Sequence, residues 1–317
     1  MDLTASQDQA LAKILAAVTA GQPLVSLSGA AGTGKTTLIS KLVEQLPGAV
    51  VCTPTNKAAQ VLNAKGIDAS TFYKKFYILE DEHDGAPRFI SCKRYLAERR
   101  GGLPEGKIEW ADYLIIDEAS MVTARSVSEM SRMCGTLILV GDHNQLPPVG
   151  DREFPAGLFG SLDHTAELTE IMRQSEGSLI LTLAGALRED SPKVGKMLKH
   201  FEPQESFQDL VRNGAQMIAF TNKERQRINC VSRRVLGFTH PYPQPGDRMV
   251  VTNNYTEDFI NGTVFEVTDF EWDQVSPFAA ITIGRWRTTF NMIPFMPFDG
   301  AKIWSWNKPI YIATLVA

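Results

Sequence analysis

Cysteine is scarce in this chain of 317 residues, and basic charge is not in excess. Only Cys52, Cys92, Cys134 and Cys230 occur, far apart and with no C-x-x-C pair. Such spacing offers neither a disulfide framework nor a zinc site. The histidines, His83, His143, His164, His200 and His240, are equally scattered. No apolar run approaches the roughly 18 residues of a membrane span. The opening "MDLTASQDQA" lacks the basic and apolar regions of a signal peptide. A reduced, cytoplasmic setting without membrane contact is therefore the expectation. The formal charge of −4 argues against a surface coated in basic charge, while leaving room for a narrow nucleic-acid groove. Internal repeats and low-complexity tracts are missing as well. What remains is ordinary globular composition, 44% hydrophobic and 21% charged, with length enough for two domains or one with insertions.

The first 175 residues alternate helical and short apolar segments. "LTASQDQALAKILAAVTAG" opens on Thr4 with Gln7 three residues on, the signature of a capping box. An apolar stripe runs through Leu11, Ile14, Leu15 and Val18, and Gly21 supplies a stop. The runs "LVSLS", "AVVCT", "YLIID" and "TLILV" are separated by helical stretches. Strands apolar on both faces in that rhythm read as a parallel sheet covered on both sides. Between Phe76 and Trp110 the rhythm breaks. "LEDEHDGAPRFISCKRYLAERRGGLPEG" shows no clear core strand and fits either a solvated excursion or a functional insertion. Past residue 175, "SLILTLAGALRED" is helical, "AQMIAF" reads as a buried strand and "TNKERQRINCVSRRVLG" as a basic helix. From Pro243 the texture turns all-β.

The run from Gly29 to Thr36, "GAAGTGKT", matches G-x-x-x-x-G-K-[ST] in full. Its glycines permit backbone angles that turn N–H groups toward phosphate, and the helix that follows adds its positive N-terminal dipole. Gly32, Thr33, Gly34, Lys35, Thr36 and Thr37 are expected to hold ATP. Lys35 would bridge the β- and γ-phosphates, and the Thr36 hydroxyl would ligate Mg²⁺. "YLIIDEAS" ends an apolar strand on Asp117 and Glu118, at the strand end where ligands bind in open α/β sheets. Asp117 would hold Mg²⁺ through water, and Glu118 would orient or deprotonate the attacking water. In "LILVGDHNQLPPVG", Gln145 is placed to sense the γ-phosphate, while Asp142 and Asn144 alone read as turn residues.

Taken in order, "GAAGTGKTT", "CTPTNKAAQVL", "STFYKKF", "LIIDEASM", "LVGDHNQLPPVG" and "ELTEIMRQ" resemble the motif series of superfamily 1 helicases. "DEASM" and "GDHNQLPPV" point to the RecD-like and Dda-like branch, away from the Rep/UvrD branch. The resemblance runs over at least residues 3–262. It implies an α/β fold: a P-loop, RecA-like parallel-sheet domain over 1–175, carrying a strand-separating, pin-like insertion at 77–110. A partial second RecA-like domain over 176–242 and a small SH3-like β-barrel insertion over 243–317 would follow. By the same resemblance, Gln7 matches a glutamine that recognises adenine, and Arg173 an arginine finger on the γ-phosphate. Single-strand contacts fall on Pro54, Thr55 and Asn56, and on Thr71 with Phe72 or Tyr73 stacking on a base. Many members have histidine where Tyr73 stands. Phe89 is the candidate wedge of the pin, and Asn222 a grip in the second domain.

Two further family motifs, resembling T-x-H-K-x-Q-G and V-x-x-T-R-[AG], do not occur in this chain. A truncated protein, or a missing half supplied elsewhere, is the expectation. The implied function is an ATP- and Mg²⁺-dependent DNA helicase or translocase. It would move 5′ to 3′ on single-stranded DNA and open duplex junctions, with replication or recombination proteins as partners. The alternative is a nucleotide-dependent DNA-binding or regulatory fragment with little motor activity. An unrelated P-loop enzyme is disfavoured, because the N-K-x-D motif of GTPases is missing and a kinase has no use for "GDHNQLPPV".

Overall fold

The computed structural model describes residues 3–81, 87–98, 101–148, 157–170, 179–188, 192, 194–199, 205–215, 217, 219, 221–238, 243–251, 264–271, 278–283, 286–291 and 312–314. The chain divides into two compact units, 1–200 and 201–317. The division falls later than 175/176, so the helices over 179–188 and 194–198 go with the first unit.

The first unit opens with α1 (Ala5–Thr19), β1 (Leu24–Gly29), α2 (Lys35–Gln45), β2 (Val50–Thr53), α3 (Asn56–Asn63) and β3 (Ala69–Thr71). It continues with α4 (Phe72–Phe76), β4 (Tyr77–Asp81), β5 (Pro87–Ser91), α5 (Cys92–Glu98), β6 (Ala111–Ile116) and a 3-10 turn over Ala119–Met121. Then come α6 (Ala124–Met130), β7 (Cys134–Gly141), β8 (Ala166–Leu168), α7 (Leu179–Arg188) and α8 (Val194–Leu198). Six strands form one sheet in the order β3-β2-β6-β7-β1-β8. Every pairing in it is parallel.

Both faces of this sheet are buried, as its apolar strands require. Along β7, Ile138 and Val140 pack on one face with Ile14, Leu38, Ile39 and Leu42. Leu137 and Leu139 pack on the other with Phe76, Val127, Met130 and Phe159. Each such side chain contributes about 1.5–3 kcal/mol when removed from water. Parallel pairing also sends Gly29, Thr53, Asp117 and Gly141 to one edge, because each sits at or just past a strand's C-terminal end. The edge is made by topology, and the site is made on it.

Local chemistry places the first helix. Thr4 Oγ1 accepts from Gln7 N at 3.3 Å, and Gln7 Oε1 accepts from Thr4 N at 3.1 Å, completing the capping box. Gly21, with φ +74, ends the helix. Its N–H and that of Gln22 donate to the Val18 and Ala17 carbonyls.

The excursion after Phe76 does contain strands. β4 and β5 pair antiparallel from Tyr77↔Ser91 to Asp81↔Pro87, and α5 follows directly. Phe76, fully buried, roots this hairpin in the core beside Phe72, with ring centroids 4.9 Å apart.

In the second unit α9 (Phe207–Arg212) and α10 (Asn222–Val235) precede β9 (Arg248–Val251), β10 (Val264–Glu266) and β11 (Asp269–Glu271). β12 (Phe278–Ile283), β13 (Trp286–Asn291) and β14 (Ile312–Thr314) complete it. The strands form two antiparallel three-stranded sheets, β10-β9-β14 and β11-β12-β13. "AQMIAF" was expected to be a strand, but its described residues, 215, 217 and 219, are in none. A buried bidentate pair, Arg233 with Asp247 at 2.9 and 2.8 Å, ties α10 to the turn before β9.

Candidate nucleotide-binding site

Between β1 and α2 lies the phosphate-loop sequence. Gly32 and Gly34 take φ of +85 and +89, a region that costs an L side chain about 1–2 kcal/mol. Gly34 is also the N-cap of α2 and offers no side-chain cap. The first-turn N–H groups are thereby left to an anion. Lys35 Nζ donates to the Gly29 and Ala30 carbonyls at 2.8 and 3.0 Å, folding the ammonium back over the loop. Thr36 and Thr37 follow it in the first turn of α2, both half-buried. Thr33 is buried, and its hydroxyl donates to Ala30 O at 2.9 Å. Gln7 Nε2 donates to Thr33 O at 3.2 Å, so the start of α1 is tied to the loop as well as capped. A Cβ added to Gly34 would fall on that amide nitrogen.

Asp117 follows β6 and is 8% exposed. Its N–H donates to Cys52 O at 3.0 Å, and its Oδ1 accepts from Glu118 N at 2.9 Å. Glu118 has φ +56, the one non-glycine residue in the left-handed region among the described residues. Strain of this kind persists only where the surroundings hold it, and it gathers at functional sites. Burial pushes the Asp117 carboxyl above its ordinary value, against the Glu118 N–H and the Lys35 charge. Burial and then the Asp117 charge push Glu118 up as well, and Asp142 adds to this. Three motifs thus share one electrostatic neighbourhood, and perturbed carboxyls so placed are functional-site candidates.

Ser120 Oγ donates to Gln145 Oε1 at 3.2 Å, joining the turn after the acid pair to the third motif. Buried Asp142 organises that motif: its carbonyl accepts from Gln145 N at 3.1 Å and its Oδ1 from Asn144 N at 3.0 Å. The turn role read for Asp142 and Asn144 is what the backbone shows. Arg173 lies outside the described residues.

A polar relay behind the loop was not singled out from sequence. Ser26 and Ser28, 3% and 0% exposed, share one face of β1. Ser28 Oγ lies 2.6 Å from His143 Nδ1, and Ser26 Oγ 3.2 Å from His164 Nδ1. The two imidazoles stand 5.6 Å apart, and Glu167 Oε1 is 3.9 Å from His143 Nδ1. The available signal was the alternation of serine with apolar residues in "LVSLS", which marks a buried polar face. Burial, with His143 second, holds His164 below its ordinary value. Its neutral form is favoured by folding, so this stability is present above the ordinary histidine range and lost as pH falls through the lowered value. His143→Leu strands the buried Ser28 hydroxyl and is expected to cost about 1–3 kcal/mol in urea unfolding. The double variant with Ser28→Ala should recover most of that loss, because removing both partners leaves nothing unsatisfied. Additive losses in the cycle would contradict a direct Ser28–His143 bond.

The DNA-contact candidates fall in four places. Thr55 caps α3, its Oγ1 accepting from Ala58 N at 3.3 Å, with Pro54 and Asn56 on either side. Thr71 caps α4, its Oγ1 accepting from Lys74 N at 3.2 Å, and pairs with Thr53 at the same sheet edge. Phe72 is 2% exposed and packs on Phe76 and Tyr77, so it is core and offers no stacking surface. Tyr73, 47% exposed, is the member of that pair that reaches solvent. Phe89 lies opposite Leu79, set back from the last hairpin pair, Asp81↔Pro87. It therefore does not stand at the tip. Asn222 opens α10 in the second unit.

Comparison with known proteins agrees with this geometry. The family described as AAA domain matches residues 2–212. An uncharacterized protein of Methanocaldococcus jannaschii is 33% identical over 192 residues, covering 55% of this chain and 15% of that protein. The ATP-dependent DNA helicase dda of Enterobacteria phage T4 is 27% identical over 266 residues, covering 74% of this chain and 57% of the relative. The chain thus spans less than two thirds of either relative's length. One similar structure concerns DNA unwinding at forked dsDNA by two coordinating Pif1 helicases. Its TM-score is 0.56 at 21% identity, over 92% of this chain and 76% of that chain. A second is Pif1 helicase from Bacteroides in complex with ADP-AlF3 and ssDNA, with TM-score 0.50 at 20% identity, over 92% and 75%. These two share the fold. With about two thirds of its length inside the family match, the chain belongs to the AAA domain family, and its motif series resembles that of the Dda-like helicases.

Proposed function

We propose that this chain is an ATP-dependent DNA helicase or translocase, moving 5′ to 3′ on single-stranded DNA and opening duplex junctions. The observation that carries the reading is one sheet edge where Lys35, Asp117, Glu118 and Asp142 act on one another beside Gln145. The Thr55 and Thr71 loops leave the same edge. First-turn amides of α2 and Lys35 would hold the phosphates, and Gln7, still bonded to Thr33 O, would offer its second amide hydrogen to adenine. Mg²⁺, held by Thr36 and by Asp117 through water, would neutralise charge on the β- and γ-phosphates. Glu118 would take the proton of the attacking water, and Gln145 would report the γ-phosphate through Ser120. Arg173 fits an arginine finger by its place in "EIMRQ". Pro54, Thr55, Asn56, Thr71 and Tyr73 would line the strand's path, and Asn222 is a candidate contact of the second unit by itself. The sheets over 248–314 are read as the SH3-like insertion, and the β4–β5 hairpin as the pin.

Steady-state hydrolysis with and without a single-stranded oligonucleotide tests this reading. Turnover is expected to require Mg²⁺ and to rise when the oligonucleotide is added. Turnover indifferent to DNA would sink the proposal. Nucleotide-dependent DNA binding without stimulated turnover would favour the regulatory fragment instead.

A further inference from the structure

At the root of the β4–β5 hairpin lies a concavity of about 380 Å³. Its floor is formed by Tyr77, Ile90 and Met133, all under a tenth exposed. Lys93 and Arg94 of α5 and Arg132, just past α6, stand around it, all three exposed. Glu129 is the carboxylate in this lining, and it engages the Tyr77 hydroxyl. Arg94 also pairs with Glu98 at 2.6 Å, but both are about half exposed. Such a surface pair is worth only about 0–1 kcal/mol and yields to a stronger anion. Three cations against one carboxylate stand out in a chain whose formal charge is −4.

The place in the fold narrows what this concavity can take. Met133 precedes the first residue of β7, whereas Gly141 and Asp142 end that strand at the nucleotide edge. Eight residues at about 3.3 Å each separate the two ends by roughly 25 Å. The concavity therefore lies at the opposite end of β7 from Asp142 and the phosphate loop, while its Tyr77 ring stands 5.1 Å from that of Tyr73 on α4. An apolar floor ringed by cations suits a sugar lying on Ile90 and Met133 with its phosphates among Lys93, Arg94 and Arg132. We propose that this concavity binds the phosphodiester backbone of the duplex arm of a DNA fork, holding unopened duplex against the hairpin. The inference rests on the helicase reading. It adds a second nucleic-acid contact beside the single-strand path, on the far side of Tyr77 from Tyr73.

Fluorescence anisotropy of the full chain with a blunt duplex, a forked duplex and a single strand tests it. Lys93→Ala combined with Arg132→Ala removes exposed side chains and should leave the thermal melt unchanged. Duplex and fork affinity should fall roughly 10-fold, and the slope of log K against log salt should drop by about 2. Single-strand affinity and single-strand-stimulated hydrolysis should stay within about twofold, the spread of a near-neutral surface change. Unchanged duplex affinity, or an equal loss for the single strand, overturns the proposal. Single-strand stimulation of the unmodified chain is read separately. If it is missing while the variant still loses duplex affinity, the helicase reading fails and the duplex contact stands.

Discussion

Gly34→Ala should abolish useful nucleotide binding while leaving a folded protein. Two effects combine at this position. The backbone sits at φ +89, where a Cβ costs about 1–2 kcal/mol. That Cβ also lands on Gln7 Nε2, whose bond to Thr33 O at 3.2 Å is buried. Losing the bond costs about 1–3 kcal/mol more. Unless the loop shifts, both penalties fall on the conformation that presents its amides to phosphate. At 1.4 kcal/mol per tenfold, affinity for a fluorescent ATP analogue should drop by roughly 30-fold or more. Gly21→Ala is the matched control. Gly21 has φ +74 but nothing within 4 Å of an added Cβ. It should lower the unfolding midpoint by the strain alone and leave nucleotide affinity unchanged. Equal affinities for the two variants would show that the Gln7 contact is irrelevant to the loop.

That contact also shows what could be read without a structure. Thr4 and Gln7 are three apart before an apolar stripe, so the capping box was legible. The reach of Gln7 to Thr33, 26 positions away, was not, because it depends on where α1 lands. The central strands were legible because "LVSLS", "YLIID" and "TLILV" are buried on both faces. β3 and β8, three residues each at the two sheet edges, are too short to show a period. The hairpin was obscured because Glu80, Asp81 and Arg88 occupy strand positions that an apolar pattern would have marked. Phe72 and Tyr73 are neighbours of the same chemical kind, and only the packing of α4 decides which is core. His143 was quoted inside its motif, yet its partner Ser28 lies 115 positions away. Local chemistry is written in the sequence; the meetings of distant residues follow from sheet order.

Glu118→Gln should stop hydrolysis and, in the absence of nucleotide, raise stability. Both outcomes come from the same burial. Glu118 and Asp117 sit side by side, and each carboxyl is pushed above its ordinary value, chiefly by removal from water. An acid that is harder to ionise when folded contributes stability below the ordinary carboxylate range. That contribution is lost as pH rises through the raised folded value. At neutral pH the pair is therefore a standing cost, and a neutral amide at position 118 relieves it. The melting temperature of the variant should exceed that of the unmodified chain at neutral pH, with the gap closing as pH falls through the raised folded value to the ordinary carboxylate range. Hydrolysis moves the other way. A glutamine cannot accept the proton of the attacking water, so turnover should fall by roughly 10²–10⁴-fold. ATP affinity should hold, because Lys35 and the loop glycines are untouched. A variant that loses turnover and stability together would place Glu118 in the framework and leave the catalytic base to be found elsewhere. A variant that gains stability while keeping ATP bound would mean that the left-handed, water-poor position of Glu118 is maintained for chemistry at the expense of the fold.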